Sequence, residues 1–515
     1  MSLDAAALQV LMARLTGIAE EASAVLRRAA SSPNIKERAD CSVALFTRAG
    51  ELLVQAEAIP VHLGSMPAAV RAAVDAAAGG AEPGEQWVLN DPFAGGTHLN
   101  DVTLVAPVHV AGALVGWVAN RAHHADLGGI APGSMPPDAT EVYQEGLRVP
   151  PVRLTDDVVE ILVASSRAAD ERRGDLAAQR GANVVGVERF AAIVDGLGSV
   201  TPLDEVLDYG ERRMRAALRD LPDGTWRFED VLDSAGPRPD QQTPSLVVVT
   251  LRLDGDHATF DFTGSAAQRP GNVNAVEAVT VSAVAFAVRA ATDPSVPPNG
   301  GATRPVTVVA PPGSVVAAVP PVAVGAGNVE VSQRVADVCL GALAAALPGR
   351  LGAAGQGTMN NVLLGGSGWA YYETLGGGQG ARPWADGMSG VHTAMTNTRD
   401  TPVEALERSL PLRVRRYGLR SGTGGAGAYR GGDGIVRELE VLEDTIVSLV
   451  TERRVSQPWG LAGGSPGAVG ENWLLPAGDE SRATRLTDKV TVALRAGDVL
   501  RVCTPGGGGY GPPAR

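Results

Sequence analysis

Val102-Thr103-Leu104-Val105-Ala106-Pro107-Val108-His109-Val110, then Ala111-Gly112, then Ala113-Leu114-Val115-Gly116-Trp117-Val118-Ala119-Asn120-Arg121 is the most legible stretch of the chain. It is two strand-like runs with a two-residue connection. β-branched and aromatic residues suit a pleated, half-buried surface, and so short a link closes a β-hairpin. With Ala111 and Gly112 as the turn, the numbers of cross-strand partners sum to about 223. Asp101 is therefore expected opposite Ala122, and His123 opposite Asn100.

The open ends of this hairpin carry chemistry. The chain has seven histidines, and His98, His123 and His124 lie at those two ends together with Asp101. The spacing His98-x-x-Asp101 can turn both side chains onto one ligand as the loop enters its strand. His123 and His124 arrive from the exit of the neighbouring strand. Imidazole nitrogens with a carboxylate oxygen suit a borderline divalent cation such as Zn²⁺ or Mn²⁺, and fewer than a full protein set leaves positions open for water or substrate. The competing reading is a turn capped by His98 and Asp101, with one adjacent histidine packed. His62, His109, His257 and His392 are read as ordinary core or surface histidines.

Outward from the hairpin, apolar residues at Leu8, Leu11, Leu15, Ile18, Ala22 and Leu26 repeat as one face of an amphipathic helix. A β-hairpin is expected around Cys41–Phe46 and Leu52–Gln55, and a helix from Pro67 to about Ala78. Further helices are expected over Asp156 to about Asp195, Pro202–Arg219, Val273–Ala291 and Val329–Leu347. A β block spans 224–263. From about 359 the chain reads as β and glycine. The expected class is α+β, a large composite fold with β-hairpins, amphipathic helices and a β- and Gly-rich C-terminal part. Its regions are 1–220, containing the hairpin, 221–358 and 359–515.

Composition narrows the function. The 515 residues are 44% hydrophobic and 20% charged, which argues against wholesale disorder. With 44 basic against 57 acidic residues the net charge is −13, and no basic stripe offsets it, so nucleic acid is not an expected partner. No apolar run approaches the ~20 residues of a membrane span. Cys41, Cys339 and Cys503 are odd in number and scattered, and the first thirty residues lack the basic start and apolar block of a secretory signal; a reducing cytoplasm is expected. The 64 glycines cluster at 374–380, 422–434 and 506–509. Glycine-rich loops near a site are one explanation.

Longer stretches are familiar. Asn90-Asp91-Pro92-Phe93-Ala94-Gly95-Gly96-Thr97-His98-Leu99-Asn100-Asp101 and Ala122-His123-His124-Ala125-Asp126-Leu127-Gly128-Gly129 resemble the hydantoinase B/oxoprolinase family. Asp261-Phe262-Thr263-Gly264-Ser265, Gly327-Asn328-Val329-Glu330, Thr396-Asn397-Thr398, Arg420-Ser421-Gly422-Thr423-Gly424-Gly425 and Thr504-Pro505-Gly506-Gly507-Gly508-Gly509 extend the likeness over nearly the whole chain. The resemblance implies a B-type chain that works with a hydantoinase A-type, ATP-hydrolysing chain in a hetero-oligomer. Together they would open cyclic amides such as hydantoins, 5-oxoproline or lactams; the related acetone and acetophenone carboxylases act on ketones. It implies metal ligands at His98, Asp101 and His123, with Asp40 of Arg38-Ala39-Asp40-Cys41-Ser42 and His124 as further members. ATP is expected on the partner, since no GxxxxGK[ST] occurs here. A ketone carboxylase subunit and a non-catalytic scaffold subunit are the alternatives.

Gly376, Gly377 and Gly378 are read either as an oxyanion or phosphate cradle of backbone N–H groups or as a turn between strands. Arg172, Arg173 and Asp175 are read as a solvated helix face rather than a carboxylate or phosphate clamp. Glu373, Glu404 and Glu407 are left outside the site. The chain stops at Gly511-Pro512-Pro513-Ala514-Arg515, short of where many family members end, a difference expected to bear on subunit docking rather than on the metal.

Overall fold

The structure is a computed structural model that describes residues 3–56, 59–77 and 80–513. It is an α+β fold. The N-terminal sheet contains β1 (Cys41–Thr47), β2 (Leu52–Gln55), β3 (Trp87–Leu89), β4 (Asp101–Val110), β5 (Ala113–His123) and β6 (Val152–Arg153). Their order is β2-β1-β5-β4-β3-β6, so the hairpin β4–β5 occupies the middle. Central strands are covered on both faces, which is why β1 and most of β4 and β5 are buried throughout.

One face is covered by the helices Ala5–Ala29 and Ala169–Leu197. The first is capped by Asp4, whose carboxylate accepts the Ala7 N–H at 2.7 Å, and it buries Leu8, Leu11, Leu15, Ile18 and Leu26. The second presents amides as well as apolar groups. Gln179 Nε2 donates to Val102 O and Asn120 Oδ1, both at 2.9 Å, and Asn120 Nδ2 returns bonds to Gln179 O and Asn183 Oδ1. The helix His62–Ala77 lies on the other face, with Met66, Ala69, Val70 and Ala73 against Phe46, Trp117 and Ala119. Ala78, the expected end of that helix, lies outside the described residues.

A second sheet, built from 224–309, packs against the helices Glu277–Ala291 and Ser332–Ala346. Between 361 and 503, a four-stranded and a five-stranded sheet enclose a core of Val362, Leu364, Leu412, Leu439, Leu449 and Leu500. The largest apolar cluster draws on all three regions, from Ile59 and Met135 through Phe260 and Val338 to Leu363 and Val450.

Two expectations are corrected, and a third, open between a cradle and a turn, is narrowed at Gly377 and Gly378. The helix expected from Asp156 to Asp195 is two, Asp156–Ser165 and Ala169–Leu197, parted at Ser166–Ala168. Arg172 and Asp175 are not on a solvated face: both are fully buried and lie 3.0 Å apart, and Asp175 Oδ1 accepts the N–H groups of Ser31 and Ser32. Only Arg173 reaches solvent, beside Glu160. The glycine clusters serve backbone packing. Gly377 N–H donates to Val391 O at 2.9 Å and Gly378 N–H to Pro505 O at 3.0 Å, which leaves neither donor to an oxyanion. A Cβ on Gly378 would sit 2.1 Å from Gly507 N.

Glu145 ties this fold to the hairpin end. Its buried carboxylate accepts the N–H groups of Val324 at 3.1 Å and Gly325 at 2.7 Å, fixing the segment that leads into Asn328. Burial pushes it up to about 7 against those hydrogen bonds and the nearby His98 charge. Between about 4.5 and about 7 the native state therefore holds a proton that the unfolded state has lost, so this group's contribution to stability falls as pH rises through that window. Glu145→Gln should remove that dependence. Comparing urea midpoints of variant and parent at pH 5 and pH 8, the stability difference should change by roughly 3 kcal/mol in favour of the variant at the higher pH.

Candidate metal centre

The hairpin turn places Ala111 and Gly112 at φ 49° and 80°. Close to the turn the register matches the expected sum, with Val110 opposite Ala113 and His109 opposite Leu114. A bulge between Val108 and His109 then shifts it by one, so Asp101 pairs with His123 rather than with Ala122. A shift of one residue reverses which side chains share a face. Here it puts the carboxylate directly across from the imidazole.

The loop before β4 is wound so that His98 returns to the same point, with Asp101 N–H donating to His98 O at 3.2 Å. The ligand atoms of His98, Asp101 and His123 all lie within 4.8 Å of one another, and all three residues are buried. Asp101 Oδ1 is 3.0 Å from His98 Nε2 and 3.3 Å from His123 Nδ1, yet it is buried with no hydrogen-bond partner. Three lone-pair donors thus gather without satisfying one another, which is the condition a divalent ion resolves.

Oδ2 has a different environment. Thr97 Oγ1 donates to it at 2.6 Å and Asn328 Nδ2 at 3.1 Å, with His62 Nε2 at 3.6 Å. His62 is itself held by Ser42 Oγ at 2.7 Å from Nδ1. The two oxygens are therefore divided between an inner and an outer role, the arrangement by which outer groups aim a ligand. Asn328 Nδ2 also lies 3.0 Å from His98 Nε2. Asn328 belongs to a single π-helical turn, Gly327–Val331, where a Cβ on Gly327 would sit 2.0 Å from Asn274 O.

Tyr372 closes one side, its ring stacked on His123 with centroids 4.5 Å apart. Its hydroxyl donates to Asn361 Oδ1 at 2.8 Å, and Asn361 Nδ2 donates to Glu330 at 2.7 Å. The electrostatics follow from burial and from Asp101. Burial lowers His98, but the Asp101 charge beside it, helped by the Gly325 carbonyl, outweighs it and the net shift is upward. Burial acts to raise Asp101, and the three histidines override it, leaving the carboxyl well below its usual range. For His123 burial wins and the imidazole is lowered.

The remaining expected residues are distributed as follows. Asp40 stands beside His123, one residue before β1: the His123 N–H donates to Asp40 O at 3.1 Å, and the Asp40 charge acts on both His98 and His123. Its carboxylate lies outside the three-residue cluster. His124 points to the opposite face, as alternation along a strand requires. Its Nε2 meets Gln179 Oε1 at 2.9 Å, and burial together with Arg172 lowers it to about 3. Glu373 is paired with Arg437 at 3.2 Å. His62, read from the sequence as an ordinary histidine, is buried beside Asp101 Oδ2, and Thr97 and Tyr372 were given no role from the sequence. Thr97 lies four residues before Asp101, a local signal; His62 and Tyr372 have none.

A family model described as hydantoinase B/oxoprolinase matches residues 4–513. An uncharacterised protein of Methanocaldococcus jannaschii is 39% identical, over 99% of this chain and 91% of its own length. The 5-oxoprolinase 1 of Arabidopsis thaliana is 37% identical over 99% of this chain, which spans 42% of that protein. A putative B-type subunit of a D-/L-hydantoinase from a Pseudomonas strain is 31% identical over 99% of this chain and 90% of its own length. Among solved structures, the ATP-dependent caprolactamase of Pseudomonas jessenii superposes with a TM-score of 0.91 at 28% identity, covering 99% of this chain and 92% of that one. Acetone carboxylase shares the fold, with a TM-score of 0.90 at 19% identity, over 98% of this chain and 75% of that one.

Thr97→Val keeps the shape of the side chain and removes one donor from Asp101 Oδ2. Zn²⁺ or Mn²⁺ affinity, read by competition calorimetry, should fall about 10- to 100-fold. Thr97→Ser should restore it.

Proposed function

The chain belongs to the hydantoinase B/oxoprolinase family, and on that premise we propose that it is the metal-dependent hydrolytic subunit of an ATP-dependent cyclic amidohydrolase. Its substrate would be a hydantoin, 5-oxoproline or lactam ring, and its partner an ATP-hydrolysing hydantoinase A-type chain. The observation that carries this reading is the convergence of His98, Asp101 and His123 within 4.8 Å.

Those three side chains would hold the ion, with Asp40, just before β1, as a further ligand. A divalent ion held there supplies Lewis acidity toward a carbonyl oxygen and makes water acidic enough to attack at neutral pH. The chain's own residues do the rest. Thr97, Asn328 and His62 hold Asp101 Oδ2, so that Oδ1 remains turned to the imidazoles. Tyr372 fixes the plane of the His123 ring. The burial of His98, Asp101 and His123 would keep bulk water from a substrate held at the ion and so strengthen each of these interactions.

A cyclic amide is a poor electrophile. Phosphorylation of its carbonyl oxygen by the partner would supply a leaving group that water cannot, which explains why ATP would be needed for a hydrolysis. Such a division of labour agrees with the caprolactamase being ATP-dependent and with the hydantoinase relative being called a subunit. This chain spans 42% of the Arabidopsis 5-oxoprolinase, so more than half of that protein lies outside the match. Among the described residues no helix is long and apolar enough to cross a membrane.

The test is co-expression with the A-type partner, followed by ATP-dependent turnover of hydantoin, 5-oxoproline and lactams, in parallel with ketones plus bicarbonate. Ring opening should require ATP, the partner and metal, and His123→Ala should lower it by about 1,000-fold or more. The chain alone should not hydrolyse ATP. Carboxylation of a ketone without ring opening would move the chain to the carboxylase reading. Full turnover by His123→Ala would make it a scaffold.

A further inference from the structure

Arg38 is a buried charge without a counter-charge. Its side chain is fully buried, and among the described residues it forms no ion pair. Nη2 donates to Thr374 Oγ1 at 2.7 Å and to Thr398 Oγ1 at 3.2 Å, while Nε and Nη1 are buried with no hydrogen-bond partner. Among the described residues the other four fully buried guanidinium groups also keep idle donors, Arg172 on all three of its nitrogens, but three of them have a carboxylate beside them. Arg334 and Arg453 pair with Asp230 and Asp337, and Arg172 pairs with Asp175. Arg121 also lacks a carboxylate, but its Nε and Nη1 donate to Thr103 and Ser65. A buried cation with two idle donors is costly, and the face of Tyr372, 5.8 Å from Cζ, offsets only part of that cost.

Its position is informative. Tyr372 is the ring that stacks on His123, so one aromatic side chain separates Arg38 from the candidate metal ligands. Ala39, at φ 56°, turns the chain between Arg38 and Asp40. The hydroxyls of Thr374 and Thr398 are 2.7 Å apart, and His392 Nε2 lies 3.3 Å from Thr398 Oγ1. Burial and the Arg38 charge lower His392 to about 4, so at neutral pH it is an uncharged ring with one N–H to give. Thr398 is 8% exposed, and a cleft of about 610 Å³ lined by Gln55, Ile59 and Pro60 reaches Asn397, the adjoining residue.

We propose that Arg38, with Thr374, Thr398 and His392, forms an oxyanion subsite beside the metal centre. Its ligand is a carboxylate carried by the cyclic amide or the phosphoryl group placed on the substrate's carbonyl oxygen. Both offer the charged acceptor oxygens that idle guanidinium donors require. The proposal rests on the hydrolase reading for the identity of the ligand, but its test does not depend on turnover.

The experiment uses the full chain loaded with Zn²⁺ and three probes: inorganic phosphate, 5-oxoproline and the uncharged 2-pyrrolidinone. Binding is read by calorimetry and by thermal midpoint at matched ionic strength. Phosphate or 5-oxoproline should bind and raise the midpoint, and 2-pyrrolidinone should not raise it. Arg38→Gln should weaken the anion at least about tenfold and abolish the midpoint rise. Without anion, that variant should be no less stable than the parent, because an unpaired charge has been removed, whereas a purely structural arginine would leave it less stable. Thr398→Val should weaken the anion severalfold and Arg38→Lys should keep part of the binding; these two variants decide the matter if Arg38→Gln does not fold. Binding of only phosphate, or only 5-oxoproline, identifies the source of the oxyanion. The proposal is overturned if neither anion binds below ~10 mM, or if Arg38→Gln binds as well as the parent. A parent chain that takes the anion but no Zn²⁺ would instead defeat the metal reading and leave this subsite standing.

Discussion

A carboxylate removed from water must find positive charge or hydrogen-bond donors for both of its oxygens. Around Asp101 four separate parts of the chain supply donors to Oδ2 and place imidazoles beside Oδ1, which has no hydrogen-bond partner of its own. The loop before β4 supplies Thr97 and His98, β5 supplies His123, the start of the helix His62–Ala77 supplies His62, and the turn Gly327–Val331 supplies Asn328. Each is anchored by bonds that have nothing to do with Asp101, such as Ser42 on His62 and Glu145 on the Val324–Gly325 backbone. The carboxylate is thus the point on which the N-terminal sheet and the middle region agree.

The C-terminal region joins this arrangement through a buried ionic cluster. Arg334 lies 3.1 Å from both Asp230 and Asp337, Arg453 lies 2.6 Å and 2.8 Å from the same two carboxylates, and Lys489 is 2.5 Å from Glu452. Burial drives Asp337 up to about 7 and Glu452 to about 8 in spite of these cations. Such pairs add little net stability, but separating them would strand charge in the interior. They therefore specify how the last third docks, and through Tyr372 and Asn361 that docking decides the packing around His123.

Local pattern and tertiary constraint divided in an instructive way. Strand propensity, turn length and histidine spacing carried the hairpin and four candidate ligands at its open end, His98, Asp101, His123 and His124; the family resemblance put the first three forward as ligands. The bulge at Val108 and His109 had no signature, because strands buried on both faces carry no in-and-out alternation for an extra residue to interrupt. Arg172 and Asp175 read as surface charge because helix periodicity reports which residues share a face, not what that face meets. Once Ser31 and Ser32 offer their N–H groups to Asp175, the pair can be buried. The glycine clusters were legible as close approach, but which backbone approaches which was not.

By itself, the amino-acid sequence determined the α+β character, the central hairpin and the chemical type of its open end, because these depend on residues near one another in the chain. Only the tertiary structure decided that His124 faces Gln179 while His123 faces Asp101, that His62, Asn328 and Tyr372 surround the same point, and that Arg38 is left with idle donors. These relations join residues up to hundreds of positions apart. What selects among most of them is the pressure on buried polar groups to find partners, a condition on the whole folded molecule that no local segment can express, and the atoms it leaves unpartnered mark the candidate sites.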